Sequence, residues 1–286
     1  MWGVGEGLHA ATDASGVAGP DRATDNGGMS PSRRRLLLAV TLVGVLLLSL
    51  VAVLQRTGPA PVGVAQDVPG RVLLVPGYGG STDSLEVLAA KLRAAGREVG
   101  IIALPGDGTG DLRESARVLD AATAGATSVD VVGYSAGGVT VRYWAKELGG
   151  ARLARRIVTL GSPQHGTGIA ALGATFTPGR CTIACQQLVP DSTLLRQLNR
   201  DGETPAGPMW LSLWTSQDET VTPPSSARLR GAVNVQLQDI CPGLVVSHSD
   251  LPRDDLVGGI VLQALGVAPI RQPTDCAVLS AAGRLP

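Results

Sequence analysis

Ser135 lies in Gly133-Tyr134-Ser135-Ala136-Gly137, between the apolar run Val129 to Val132 and a stretch, Val139 to Leu148, that reads as a helix. Strand, very tight turn and helix with a serine at the apex is the form of a nucleophile elbow. Gly133 and Gly137 stand where a Cβ would meet the neighbouring strand or helix in so sharp a turn. The helix N-terminus behind the apex favours developing negative charge. The pentapeptide alone is weak in a chain with 38 Gly; the flanking strand and helix give it meaning.

A serine hydroxyl is a poor nucleophile until a base removes its proton, so Ser135 requires a histidine. The chain has three: His9, His165 and His248. His9 precedes a long apolar run and is separated by it from the serine. His248 follows the last apolar run, with an acid before it in the chain, which fits the order serine, acid, histidine expected after an elbow. His165 lacks that preceding acid and reads as structural or substrate-lining. The carboxylate that holds the imidazole tautomer should follow a strand two or so units after the elbow. Trp210 to Thr215 ends in Ser216-Gln217-Asp218-Glu219, so Asp218 is the expected acid, with Glu219 its rival and Asp239 third. Two backbone N–H groups must face the oxyanion: Ala136, after the nucleophile, and Tyr78, in the loop after the first strand. The glycines at 106, 108 and 110 lack the spacing and the later acid of a dinucleotide site and read as a turn.

The elements that must position these residues alternate. Strands are expected at Arg71–Val75, Val99–Ala103, Val129–Val132, Arg156–Leu160, Trp210–Thr215 and Val233–Leu237. Helices are expected from Asp83, in a capping-box-like start with Glu86, from Asp111 with Glu114, from Val139, and over Asp255–Leu265. This rhythm predicts an α/β fold, a mostly parallel central sheet with helices on both faces. Residues 166–209 break the rhythm and are expected as an insertion outside the sheet. The catalytic domain is expected over 70–270, with a C-terminal tail, 271–286, tied down by Cys276.

The sequence carries 24 basic and 24 acidic residues with no basic block in the body, which speaks against nucleic acid as a partner. With a single Phe, the core must be Val, Leu, Ile and Ala. Residues 1–32 read as a disordered tail and 33–55 as a signal or transmembrane segment, with a linker over 56–69. Arg33-Arg34-Arg35 precedes Leu36 to Leu54, which holds no charge and as a helix spans about 28 Å, a bilayer's hydrocarbon thickness. The arginine cluster before the run puts the N-terminus in the cytoplasm and the remainder outside. Ser32 to Leu37 also resembles a twin-arginine export signal, and Gly63-Val64-Ala65 offers a cleavage site, so a cleaved signal and a permanent membrane anchor through 36–54 both fit. Cys181, Cys185, Cys241 and Cys276 all lie beyond this run; an even number outside the cell suggests disulfides. Cys181–Cys185 with Cys241–Cys276 is the preferred pairing, a close pair and a late pair. No second Cys-x-x-Cys and no His cluster supports a metal site.

Taken together, Pro76-Gly77-Tyr78-Gly79-Gly80-Ser81, Gly-Tyr-Ser-Ala-Gly-Gly at 133–138, Thr-Leu-Gly-Ser-Pro-Gln-His-Gly-Thr at 159–167, Asp218 with Val221 and Pro223, and His248 with Asp250-Leu251-Pro252 resemble bacterial secreted lipases and esterases of the α/β-hydrolase superfamily. The resemblance covers nearly everything from 70 to 266. It implies a Ser135–Asp218–His248 triad, an oxyanion hole at Tyr78 and Ala136, an ester or lipid substrate and no cofactor. Family members commonly carry His-Gly where this chain has Pro76-Gly77, and nothing here matches the calcium or zinc sites of some relatives. The expected activity is cleavage of carboxylic esters outside the cytoplasm through an acyl-enzyme. Acyl transfer or amide cleavage on the same triad, and a non-catalytic binding domain of the same fold, are the alternatives.

Overall fold

The computed structural model describes residues 30–56 and 63–284. The tail expected over 1–32 lies outside the described residues as far as 29, His9 with it, as do part of the 56–69 linker and the last two residues. The first helix, α1 (Pro31–Arg56), is a unit by itself. It is long and apolar enough to cross a membrane, and its apolar side chains are exposed as far as Val51.

The second unit is built on six strands: β1 (Arg71–Val75), β2 (Val99–Ile101), β3 (Val129–Tyr134), β4 (Ala154–Leu160), β5 (Met209–Trp214) and β6 (Val233–Gln236). They pair in the order β2-β1-β3-β4-β5-β6, and every pair is parallel. The mostly parallel sheet expected is thus present, and among the described residues every pairing in it is parallel. Its central strands are buried, as a sheet covered on both faces requires: β4 is buried from end to end, and β3 at every residue but Tyr134.

Nine helices follow α1 among the described residues: α2 (Asp83–Ala94), α3 (Leu112–Ala122), α4 (Ala136–Glu147), α5 (Gly168–Phe176), α6 (Ile183–Gln187), α7 (Thr193–Asn199), α8 (Leu237–Ile240), α9 (Asp255–Ala264) and α10 (Cys276–Ala282). Alternation along the strands sorts the core into two faces. Val72, Leu74, Val132 and Leu211 pack with Leu85 and Leu88 of α2 and Val257 and Ile260 of α9. Leu73, Val75, Val131 and Ile157 pack with Leu119 of α3 and Val141 and Trp144 of α4.

One sequence expectation needs correction and two are sharpened. The helix at Asp83 has no capping box: Thr82 is its N-cap without a side-chain bond, and Glu86 pairs with Arg93 at 3.2 Å. The insertion is itself helical, since α5, α6 and α7 bury Ala170, Ala184, Leu194 and Leu198 against Leu112, Ala136 and Val139. The segment after 270 is more than a tail. Its helix α10 buries Leu279 in the core beside α9, and the close packing is visible at Gly259, where a Cβ would lie 1.9 Å from the Leu279 carbonyl oxygen.

One ionic cluster ties the sheet to its surroundings at the amino ends of the strands. Asp130 of β3, fully buried, accepts from Arg155 of β4 at 2.6 Å and from Arg97. Both guanidinium groups also donate to the Leu265 carbonyl at the C-terminus of α9, where cations complement the helix dipole. Removing the shared anion leaves two cations facing each other in a dry site. Asp130→Ala should therefore lower the unfolding free energy by roughly 3–5 kcal/mol, seen as a reduced urea midpoint at an unchanged slope. A midpoint equal to the parent's would show that the cluster contributes little.

Candidate active site

The turn between β3 and α4 leaves no slack. Ser135 sits at φ 53° and ψ −127°, a conformation that costs a non-glycine residue roughly 1–3 kcal/mol and persists only when its surroundings enforce it. They do so by contact. A Cβ on Gly133 would meet the Gly138 Cα at 2.6 Å, and one on Gly137 would meet the Val75 and Pro76 carbonyl oxygens at 2.3 and 2.4 Å. The helix can approach the end of β1 this closely only because those side chains are missing.

The strained turn aims the Ser135 Oγ at His248, whose Nε2 lies 3.0 Å away. The other ring nitrogen, Nδ1, lies 2.7 Å from Asp218 Oδ2. A carboxylate only accepts, so Nδ1 carries the proton and Nε2 is left to accept from the serine hydroxyl. Asp218 is itself fixed, because its Oδ1 accepts the backbone N–H groups of Thr220 and Val221 at 2.9 and 2.7 Å. All three side chains are buried. Glu219, the rival acid, instead accepts the His248 backbone N–H at 3.3 Å and does not contact the ring. Asp239 is in α8 and takes a 3.2 Å bond from Gln236.

The histidine loop is held to the loop that carries the acid. Gln217 accepts the Val246 N–H at 3.0 Å, and Gln238 spans from the Thr215 hydroxyl, 2.9 Å, to the Leu244 carbonyl, 3.3 Å. A disulfide joins Cys241, at the start of the histidine loop, to Cys276 at the head of α10. Tyr134, the residue before Ser135, lies against the imidazole with ring centres 5.2 Å apart and donates its hydroxyl to the His248 carbonyl. Burial, aided by the nearby Asp218 charge, pushes the Tyr134 phenol up to about 12, so it remains a neutral donor. Its role could not be read from the sequence, where it fills an unconstrained position of the serine motif.

The loop after β1 passes directly over Ser135: a Cβ on Gly77 would lie 2.9 Å from the Ser135 Cβ. The backbone N–H groups of Tyr78 and Ala136 have no hydrogen-bond acceptor among the described residues. Beside Ser135 opens a mostly apolar cavity of about 270 Å³, bounded by Tyr78, Thr167, Ile169, Ala170, Leu188 and Val221. Its outer wall is the insertion, in which Cys181 and Cys185 are joined by a disulfide.

His165 lies apart from this group. Its ring bridges Glu203 at 3.2 Å and the Ser226 carbonyl at 3.1 Å. Burial raises the Glu203 pKa, but the Arg230 N–H, His165 and Arg142 together outweigh it and hold the carboxyl below its ordinary range. Arg142 and Glu203 carried no sequence signal, because a pair 61 positions apart leaves no periodic trace. Among the described residues no group of three or more His, Cys, Asp or Glu side chains is arranged to hold a metal ion.

Comparison with known proteins bears on the same region. Residues 117–239 match the family model of Lipase (class 2), a span that holds Ser135 and Asp218 and ends before His248. No curated protein matches the chain in sequence. Among solved structures, Aspergillus fumigatus lipase B superposes with a TM-score of 0.63 at 23% identity, over 79% of this chain and 59% of its own. The mature form of a Bacillus licheniformis lipase superposes with a TM-score of 0.57 at 18% identity, over 72% of this chain and 96% of its own. The chain thus spans less than two thirds of the fungal enzyme and nearly all of the bacterial one. These likenesses and the parallel sheet give the chain the α/β-hydrolase fold.

The elbow packing makes a direct prediction about stability. Gly137→Ala should destabilise by at least about 1–3 kcal/mol through overpacking, whereas Gly110→Ala, with nothing within 4 Å of the added methyl, should stay within about 0.5 kcal/mol of the parent. Equal urea midpoints for the two variants would contradict the close approach.

Proposed function

We propose that this chain is a serine hydrolase of carboxylic esters, with lipid or other acyl esters as its substrates. The observation that carries the reading is the continuous contact from Ser135 through His248 to Asp218. Ser135 Oγ attacks the ester carbonyl while its proton passes to His248 Nε2. Asp218 keeps the ring oriented and stabilises the imidazolium as it forms. The oxyanion then lies between the Tyr78 and Ala136 N–H groups, a role supported by their having no other acceptor among the described residues. His248 returns the proton to the departing alcohol, and an acyl group remains on Ser135. Water, activated by the same imidazole, releases the acid and restores the enzyme.

The cavity beside Ser135 suits the acyl chain, since apart from Ser135, Tyr78 and two threonines its lining is apolar, with Ile169, Ala170, Leu188 and Val221 among it. At roughly the 30 Å³ that one liquid water occupies, its 270 Å³ holds about nine heavy atoms. Medium-length acyl groups therefore fit inside, whereas long ones must extend past the mouth. The apolar α1 helix behind three arginines supports export of the domain, as a cleaved product or a membrane-anchored one, and the two disulfides suit an oxidising compartment.

The full-length chain in detergent should hydrolyse nitrophenyl octanoate faster than the palmitate, and a fluorophosphonate should label Ser135. Absence of both turnover and labelling would refute the enzyme reading. Asp218→Asn should lower kcat by roughly 10⁴-fold through the wrong imidazole tautomer. Glu219→Gln should cost only a few-fold, the worth of one hydrogen bond to a loop backbone. The reverse ranking would transfer the triad role to Glu219.

A further inference from the structure

The loop that carries the Tyr78 N–H is poorly secured by its own backbone. After Tyr78 come two glycines in the left-handed region, Gly79 at φ 85° and Gly80 at φ 66°. The loop's internal and lateral bonds are Gly80 N–H to the Gly77 carbonyl, 3.1 Å, and Gly79 N–H to the Gly108 carbonyl, 3.3 Å. One side-chain bond is added among the described residues. The Tyr78 hydroxyl meets the Thr182 hydroxyl at 3.1 Å, across 104 positions of sequence.

Thr182 belongs to a much firmer element. It lies between the bonded Cys181 and Cys185, whose Cα atoms are 5.2 Å apart, and it caps α6 by accepting the Cys185 N–H. The α6 helix is fastened in turn to the start of α3. Gln187 accepts the Leu112 N–H at 2.8 Å and donates to Asp111 at 2.6 Å, and Ala184 N–H meets the Thr109 carbonyl at 3.1 Å. A sparsely bonded loop is thus tied by one hydroxyl pair to a disulfide-closed turn of the insertion, across the cavity that Tyr78 and Cys185 both line.

We infer that Thr182 is a positioning residue: through the Tyr78 hydroxyl it holds the loop after β1 where the Tyr78 backbone N–H faces the oxyanion. The inference rests on the ester-hydrolase reading. It assigns a catalytic consequence to the insertion beyond shaping the acyl cavity. The tyrosine side chain serves as a tether, while its main chain serves the reaction. Loss of the tether leaves Ser135, His248, Asp218 and the apolar cavity lining in place. It weakens an interaction made mainly in the transition state, so kcat should fall and KM should not.

The test uses the full-length chain in detergent with nitrophenyl octanoate. Tyr78→Phe and Thr182→Val should each lower kcat roughly three- to tenfold, the worth of one net hydrogen bond, at nearly constant KM. Thr182→Val also removes the α6 cap, which Tyr78→Phe leaves intact, so equal losses assign the effect to the hydroxyl pair. The double variant should be no slower than the slower single one, and Thr182→Ser should retain the parent kcat. Amide hydrogen exchange over 77–81 should quicken in both single variants. Additive losses, a change confined to KM, or unaltered kcat and exchange in both variants would overturn the inference. If the parent neither cleaves the ester nor labels at Ser135, the ester-hydrolase reading and the catalytic assignment both fail. Exchange over 77–81 then separately decides whether the tether exists.

Discussion

The close approach of α4 to the carboxyl end of β1 is the constraint on which the rest of the molecule depends. Gly133 and Gly137 allow the backbone to turn within a van der Waals contact of the neighbouring chain, and Ser135 is left in a conformation that its own local energetics disfavour. Such strain survives only inside an over-determined frame. The frame here is a sheet buried on both faces, whose strands β1, β3 and β4 are paired in parallel up to the turn, the one register shift of β3 on β4 lying at Val129/Asp130, the end remote from Ser135. The strand order reverses beside β1, so the loops after β1 and β3 diverge and open a crevice, the place where parallel α/β sheets bind ligands. Ser135 and Tyr78 face that crevice for topological reasons that precede any chemistry.

The acid and the histidine are brought to the same crevice by a different means. Neither belongs to a regular element: Asp218 follows β5 and His248 lies between α8 and α9. Long irregular loops would ordinarily place a side chain too loosely for proton transfer. Here the two loops are bound to each other through Gln217, Glu219 and Gln238, and the Cys241–Cys276 disulfide anchors the start of the histidine loop to the terminal helix. The polar side chains flanking Asp218 act on backbone groups and leave the aspartate as the one acid that reaches the imidazole. This arrangement explains why two adjacent carboxylates take separate roles despite nearly identical sequence contexts.

How far the sequence discloses this follows from the range of each interaction. The strands and the elbow are legible because apolar runs and turn residues are local signals. Ser135, Asp218 and His248 are legible as a set because the order of strand-end loops is fixed by topology, and the structure brings those three together. Helix α5, Gly168-Ile-Ala-Ala-Leu-Gly-Ala-Thr-Phe176, has no charged face, begins on one glycine and holds another at Gly173, and buries only Ala170, so neither propensity nor an amphipathic pattern marks it as a helix. The terminal helix α10 was obscured in the same way, since its anchor, Leu279, meets residues of α9 about twenty positions earlier in the chain. Tyr134, Thr182 and Arg142 act through partners 104 or more positions away, or through several partners at once, and no window along the chain contains both sides of such contacts.

Arg142 shows how the insertion and the elbow become one mechanical unit. It lies on α4, seven residues after the nucleophile, and is fully buried. Burial pushes its guanidinium down to about 10 against the pull of Glu203, so it stays charged at neutral pH. A buried cation is tolerable only when its donors are satisfied. Four of its contacts go to the Glu203 carbonyl at 2.9 Å, the Gln164 carbonyl and side chain at 3.2 and 3.1 Å, and Asn199 at 2.5 Å. Gln164 lies just before the insertion, and Asn199 and Glu203 lie toward its end. An aliphatic side chain of similar length could fill the space, but it would accept the insertion in many orientations. The guanidinium fork accepts one, because any rotation of the insertion strands a charged donor away from water. The same helix that forces Ser135 into its strained turn therefore also sets where the cavity wall stands, and the position of the cavity relative to Ser135 is fixed by a single rigid element.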